Sequence, residues 1–511
     1  MAKQEHKPTG NAVIRITFVA VALLFQIGWL VLLALVLSEY SAKISFLSSA
    51  LSAFVVLRLY SKHTNSATKM PWIMLILVFP VMGLSLYLMF VLLSDPGVSK
   101  RLKVIRRQTG EKLPQKEEVL AQLEEADPGV ANQFRYLRNT AGAPVWTNTS
   151  VQYYGECAEA FEAMKQDLEK ARDFIFMEYF IVEDRSSFRE LQEILIRKHL
   201  EGVEVRLLYD DIGSVGYVNL AFAKRLSDAG IRCIPFNPAV PFLNLFMNHR
   251  DHRKITVIDG KVGFTGGYNL ADAYFGREEP YGKWKDTGLR LEGEAVKSLT
   301  ATFLELWTVT TREETSFDRW LDVRHSVTAP GFVQPFGDDP LGQERLAKNA
   351  YMNLIARSQK RLYFITPYLI IPDDMCSALR LAAKRGVDVR IITPGIPDKK
   401  TVYAVTRSYY SGLASQGVRI FEYTPGFCHA KQCLCDGEIA LIGTSNLDYR
   451  SLYHHFENDV LLYGCDALED MGRDFEELFP QCREVTENYR TGRKGILMMW
   501  QCVLRLFAPL M

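Results

Sequence analysis

One short pattern occurs twice in this 511-residue chain, and it limits the available folds more than any other feature. His252-Arg-Lys254-Ile-Thr-Val-Ile-Asp259-Gly260 returns 177 positions later as His429-Ala-Lys431-Gln-Cys-Leu-Cys-Asp436-Gly437. Gly266 and Gly443 follow at equal distances, and then Asn269 and Asn446. The repeat also extends upstream. Phe174-Ile-Phe-Met-Glu178-Tyr-Phe and Gly202-Val-Glu-Val-Arg-Leu-Leu are echoed by Leu362-Tyr-Phe-Ile-Thr-Pro-Tyr and Gly386-Val-Asp-Val-Arg-Ile-Ile. A strand, a helical stretch, a second strand and a hairpin are therefore written twice, which predicts two tandem α/β units.

The spacing carries chemistry. Side chains two apart on a strand share a face, so each His emerges beside its Lys. The Asp falls on the opposite face, and Asp-Gly between apolar runs is a hairpin signal that gives it a turn-shaping role. An imidazole able to attack or donate a proton, next to an ammonium able to hold phosphate oxygens, suits phosphodiester chemistry. A lone strand histidine is usually a satisfied core or surface residue. The duplication, with matched Gly and Asn, argues against that reading here.

With these motifs the chain resembles the phospholipase D superfamily, whose HxKx4Dx6GxxN signature fits both copies. The resemblance covers about residues 135 to 511 and implies two α/β sandwich domains with one shared active site at a pseudo-twofold interface. It implies a catalytic set of His252, Lys254, Asp259, His429, Lys431 and Asp436. By family habit His252 is the nucleophile and His429 the acid, although the sequence itself is symmetric. Lys254, Lys431, Asn269 and Asn446 would hold the non-bridging oxygens. Asp286 in Trp-Lys-Asp, Glu457 in Phe-Glu-Asn-Asp and Glu178 match family acids that orient the histidines or the phosphate. No metal and no cofactor is implied. The chain departs from the family pattern at two places: Ala273 follows Asp272 where an acid is usual, and Asp251 precedes His252 where Asn is frequent.

The N-terminus narrows the resemblance. Residues 16–37 are 22 uncharged, largely apolar positions and residues 70–93 are 24 more, each long enough to cross a bilayer core. Residues 44–57 form a shorter apolar run that suits a short, tilted or re-entrant segment. The first run is too long for a signal peptide and lacks a small-residue cleavage site. Residues 1–98 are thus expected to be a membrane anchor of two or three transmembrane helices, similar to the module that accompanies bacterial cardiolipin synthases. Residues 99–134 read as a charged juxtamembrane linker, its part up to about Glu125 a linker or a surface helix, with five basic residues between Lys100 and Arg107 that would attract anionic lipid. The two α/β domains are expected at 135–330 and 331–511. The apolar tail from Gly495 could lie in a headgroup interface or pack as a terminal helix.

Composition excludes some alternatives. A net charge of +1 gives no overall basic field, so nucleic acid is not expected as a partner. Nine cysteines without metal-ligand spacing suggest free thiols and a reducing compartment. The resemblance implies a multi-pass protein of the cell membrane, its catalytic part cytoplasmic, that joins two phosphatidylglycerol molecules into cardiolipin and glycerol through a phosphohistidine. Another membrane phosphatidyltransferase, a lipid hydrolase or, less readily, a nuclease remain as alternatives.

Overall fold

The computed structural model describes scattered positions between 17 and 36 and residues 42–62, 66–92, 96–239, 248–313, 316–490 and 504–505. Near-continuous apolar strands have to be covered on both faces, and that need organises the fold. Residues 149–293 supply β1 (Thr149–Tyr154), β2 (Phe174–Tyr179), β3 (Glu204–Asp210), β4 (Arg232–Phe236), β5 (Arg250–Asp251), β6 (Lys254–Ile258), β7 (Val262–Gly266), β8 (Lys283–Lys285) and β9 (Gly288–Gly293). Seven of them form one sheet in the order β1-β9-β7-β6-β2-β3-β4. β2 runs parallel to β3 through the crossover helix Ser186–Leu200, and antiparallel to β6 with Tyr179 opposite Lys254.

The second half repeats the plan with β10 (Phe332–Asp338), β11 (Arg361–Ile365), β12 (Leu369–Ile370), β13 (Asp388–Pro394), β14 (Arg419–Tyr423), β15 (Gly426–Cys428), β16 (Gln432–Cys435), β17 (Ile439–Gly443), β18 (Leu447–Asp448), β19 (His455–Tyr463) and β20 (Cys482–Glu484). The main path is β10-β19-β17-β16-β11-β13-β14-β20. Here β11 is parallel to β13 through the helix Asp373–Lys384 and antiparallel to β16. Gly202 and Gly386, at matching turns after those helices, have φ of 97° and 94°, a region that glycine enters without a Cβ clash. One buried cluster draws Phe176, Ile255 and Leu289 of the first sheet together with Ile365, Leu434 and Val460 of the second. Separate clusters lie under the outer helices of each half. Two sheets thus share an inner core, each backed by helices, which agrees with the expected α/β sandwiches.

The segment expected to be a charged linker is folded. Helices Pro96–Glu111, Glu117–Ala126 and Pro128–Ala141 bury Leu102, Ile105, Leu123, Phe134 and Leu137 against the two halves. Its charges sit on one face and its apolar residues recur at helical spacing, so the run packs as amphipathic helices. Arg106, inside the basic cluster, donates to Glu305 at 3.1 Å and Asp339 at 2.6 Å.

The apolar run at 70–93 is not one helix. Ser66–Val78 and Pro80–Leu92 meet at Phe79, and the chain folds back until a Cβ on Gly83 would lie 2.6 Å from the Leu75 carbonyl. Pro80 has no N–H to continue the first helix and stands where the second begins. The run at 44–57 lies within the helix Ala42–Ser61, which turns Val55 and Leu59 toward Ile76 and Leu84. Among the described residues, no helix is long and apolar enough to cross a membrane. Nine of the 22 positions in the run at 16–37, and most of the tail from Gly495, fall outside the described residues.

Candidate active site

Each histidine is placed by a strand of the opposite half. β5 pairs in parallel with the start of β19, Arg250 opposite His455, and the His252 amide donates to the Phe456 carbonyl at 2.9 Å. In mirror fashion β15 pairs in parallel with β8, and the His429 amide donates to the Lys285 carbonyl at 2.7 Å. The residue after each of those carbonyls is an acid. Glu457 therefore accepts from His252 Nδ1 at 2.9 Å, and Asp286 lies 2.7 Å from His429 Nδ1. With Nδ1 donating to a carboxylate, each imidazole presents Nε2 for chemistry.

The acids are themselves positioned. Thr444 Oγ1 donates to Glu457 Oε2 at 2.6 Å. The equivalent place in the first half is Gly267, where a Cβ would stand 2.1 Å from Asp286 Oδ1, so only glycine lets that carboxylate in.

Burial sets the charge state. His252 is 5% and His429 7% exposed, and desolvation, helped by neighbouring lysines, pushes the His252 imidazole well below its ordinary value and His429 to about 4. Burial lowers Lys254 to about 7 and Lys431 to about 8, opposed by Glu457 and Asp286. It pushes the Glu457 carboxyl up, which Lys254 counteracts. Lys431 Nζ lies 2.7 Å from His429 Nδ1, and each lysine also donates to the carbonyl of its own histidine. The pocket holds imidazoles that burial keeps neutral beside ammonium groups that it stabilises poorly, an arrangement that gains from an entering anion.

Asn269 donates to Tyr274 Oη at 2.7 Å and accepts from the Ile181 amide, while Asn446 Oδ1 is buried with no hydrogen-bond partner. Both asparagines and both histidines line one cavity of about 810 Å³.

Three of the expected site residues stand elsewhere. Asp259 accepts the amides of Arg172, Asp173 and Phe174 at 2.8 to 3.0 Å, and Asp436 does the same for Gln359, Lys360 and Arg361 at 2.7 to 2.9 Å. With φ of 52° and 55° they begin left-handed turns that Gly260 and Gly437 continue. These aspartates close hairpins and tie them to neighbouring strands, on the face away from the histidines. Glu178 touches neither imidazole. It is buried 3.6 Å from Arg253, and burial and the charge of Asp251 push its carboxyl well above the usual value.

The sequence reading missed His455 and Arg450. The His455 ring lies 5.4 Å from that of His252, and its Nε2 accepts from Arg450 Nε at 3.1 Å. His252, His455 and Glu457 bring three ligand-type atoms within 4.8 Å, a grouping accounted for by the hydrogen bonds just given.

Two paired sheets that share a site of two His-Lys-Asn sets define a protein of the phospholipase D class. The family described as cardiolipin synthase, PLD-like domain, matches residues 164–307 and 351–479, and a phospholipase D-nuclease N-terminal family matches residues 49–91. Cardiolipin synthase from Halalkalibacterium halodurans is 34% identical, covering 90% of this chain and 92% of its own. Cardiolipin synthase 2 from Bacillus cereus is also 34% identical, covering 91% of each. An uncharacterized Streptococcus mutans protein is 41% identical over 89% of this chain and 99% of its own. The fold is also that of a phosphatidylserine synthase from Haemophilus influenzae, at TM-score 0.56 and 15% identity, covering 75% of this chain and 98% of the other. The chain belongs to the cardiolipin synthase family.

Proposed function

We propose that the protein is a phosphatidyltransferase that joins two phosphatidylglycerol molecules into cardiolipin and releases glycerol. The observation that carries this reading is the crossed pair of carboxylate-held imidazoles facing one cavity. In the first step one Nε2 attacks the phosphorus of a phosphatidylglycerol. An N–P bond forms, the bond to the glycerol oxygen breaks, and the other imidazole gives that oxygen its proton. An entering phosphate anion favours the protonated form of that imidazole, which the empty pocket does not. In the second step the same imidazole takes the proton of an incoming hydroxyl as its oxygen attacks phosphorus and the N–P bond breaks. Lys254, Lys431, Asn269 and Asn446 hold the non-bridging oxygens where charge develops.

Membrane attachment fits the N-terminal part. On the helix Ala42–Ser61, Phe46, Leu47, Phe54 and Leu57 are 60 to 77% exposed while Val55 and Leu59 pack inward, so these apolar groups face outward from the described residues. Lipid is the medium that suits them. There the acceptor is locally concentrated, which favours transfer over hydrolysis.

The test is incubation of purified full-length enzyme with phosphatidylglycerol vesicles. Cardiolipin and glycerol are expected in equal amounts, and added glycerol should slow or reverse the conversion because one phosphodiester replaces another. Accumulation of phosphatidic acid, indifferent to glycerol, would assign the site to a hydrolase.

A further inference from the structure

The site is symmetric in its histidines, lysines and asparagines, but the cavity around it is not. Positions 273 and 450 lie equally far beyond the two motifs, and they hold Ala273 and Arg450. The wall around His429 is aromatic, with the rings of Tyr274, Trp284 and Phe427 at 5.2, 5.7 and 5.9 Å. Around His252 stand Phe180, its ring at 5.0 Å, and then His455 and Arg450.

Arg450 lines the cavity, and both hydrogen-bond partners described for it are uncharged: His455 Nε2 at 3.1 Å and Asn248 Oδ1 at 3.2 Å. Asp448 and Asp210 are electrostatic neighbours, but Asp448 Oδ1 accepts the Ser451 amide at 2.8 Å and caps a helical turn, and Asp210 is paired with Arg250 at 2.9 Å. Accepting from Arg450 leaves His455 with its proton on Nδ1, so the imidazole steers the guanidinium without adding negative charge. A guanidinium held this way into a cavity keeps N–H groups and charge for an anion from outside.

We propose that Arg450, aimed by His455, is the subsite for the phosphodiester of the acceptor phosphatidylglycerol. This rests on the phosphatidyl-transfer reading above and names what that reading leaves open: how the enzyme prefers a lipid acceptor to water or a free alcohol. In cardiolipin the two phosphorus atoms are separated by six bonds of about 1.5 Å, a reach of roughly 7 Å. With the reacting phosphate against His252, a second phosphate within that reach stays inside the cavity that His455, its ring 5.4 Å from that of His252, and Arg450 also line. At the matching place on the aromatic side stands Ala273, although Lys399 also lines the cavity.

The experiment follows full-length enzyme in phosphatidylglycerol micelles by two readouts: cardiolipin formation, whose acceptor carries a phosphate, and exchange of labelled free glycerol into phosphatidylglycerol, whose acceptor does not. Arg450→Gln should lower the ratio of cardiolipin to exchange by about tenfold or more, the usual weight of a charged hydrogen bond. Arg450→Lys should restore much of it, and His455→Gln should lower it less. If Arg450→Gln does not fold, His455→Gln carries the same ratio test with the cation kept. A fall of both activities in proportion, or of neither, overturns the subsite while leaving the transferase reading intact. Wild-type enzyme that performs neither reaction overturns the transferase reading itself.

Discussion

At the scale of single residues, the site depends on two imidazoles that are neutral when empty and held by acids from the opposite half. His252→Ala and His429→Ala are expected each to abolish turnover in folded protein, and the double variant to lose no more than either, because both serve one reaction. Glu457→Gln and Asp286→Asn, which keep size but not charge, should each lower kcat by roughly two to four orders of magnitude. Near-normal activity in any of these variants would remove the shared site. The pH profile has a definite sense. Burial lowers the lysines to about 7 and about 8, so kcat/KM should fall as pH rises through that range and the phosphate loses its cations. A substrate anion favours the charged lysine, so the corresponding fall in kcat belongs at higher pH. Rates measured in micelles of constant surface charge would show a rising alkaline limb if this assignment of cations is wrong.

At the scale of elements, the Asp-Gly hairpins separate structural from chemical parts of the motif. Asp259→Ala removes the acceptor for three backbone amides and should cost about 1 to 3 kcal/mol in denaturant unfolding. Folded Asp259→Ala should keep the specific activity of the wild type within about twofold. A folded but inactive variant would return Asp259 to the catalytic set. The sequence made the hairpins legible because Asp-Gly has a strong local preference, and the strands because their apolar runs and the 177-residue repeat agree. It also offered Asp286 and Glu457 as orienting acids, though not the crossing by which each serves the other half's histidine. Nothing local records that crossing, since it depends on two short parallel pairings across the interface. Asp259 and Asp436 stand in the turns where strand parity and Asp-Gly put them, whereas the place of Glu178 beside Arg253 was not legible because a motif fixes order along the chain and not the partners a side chain meets. The charged linker and the long apolar run at 70–93 mislead for a related reason. Composition reports a segment's average polarity, whereas amphipathic packing of the first and the fold-back at Phe79 and Pro80 in the second depend on position.

At the scale of the whole molecule, the function proposed above divides the work, giving the N-terminal part the task of reaching lipid and the catalytic body that of changing it. Protein lacking residues 1–95 is expected to fold but to lose sedimentation with phosphatidylglycerol vesicles, while the full chain pellets with them. Co-sedimentation of the shortened form at full strength would move membrane contact to the catalytic body. The crossed acids have a different consequence, which concerns inheritance and failure more than turnover. Neither half contains a complete acid–imidazole pair, so neither could have been trimmed away, or kept, as a lesser enzyme of its own. A slight parting of the halves would unseat both imidazoles together, before any sheet comes apart. Activity should therefore vanish at denaturant concentrations where far-ultraviolet circular dichroism is still native, and return as quickly as two surfaces can close. Coincident loss of activity and secondary structure would mean that the interface is no weaker than the domains it joins.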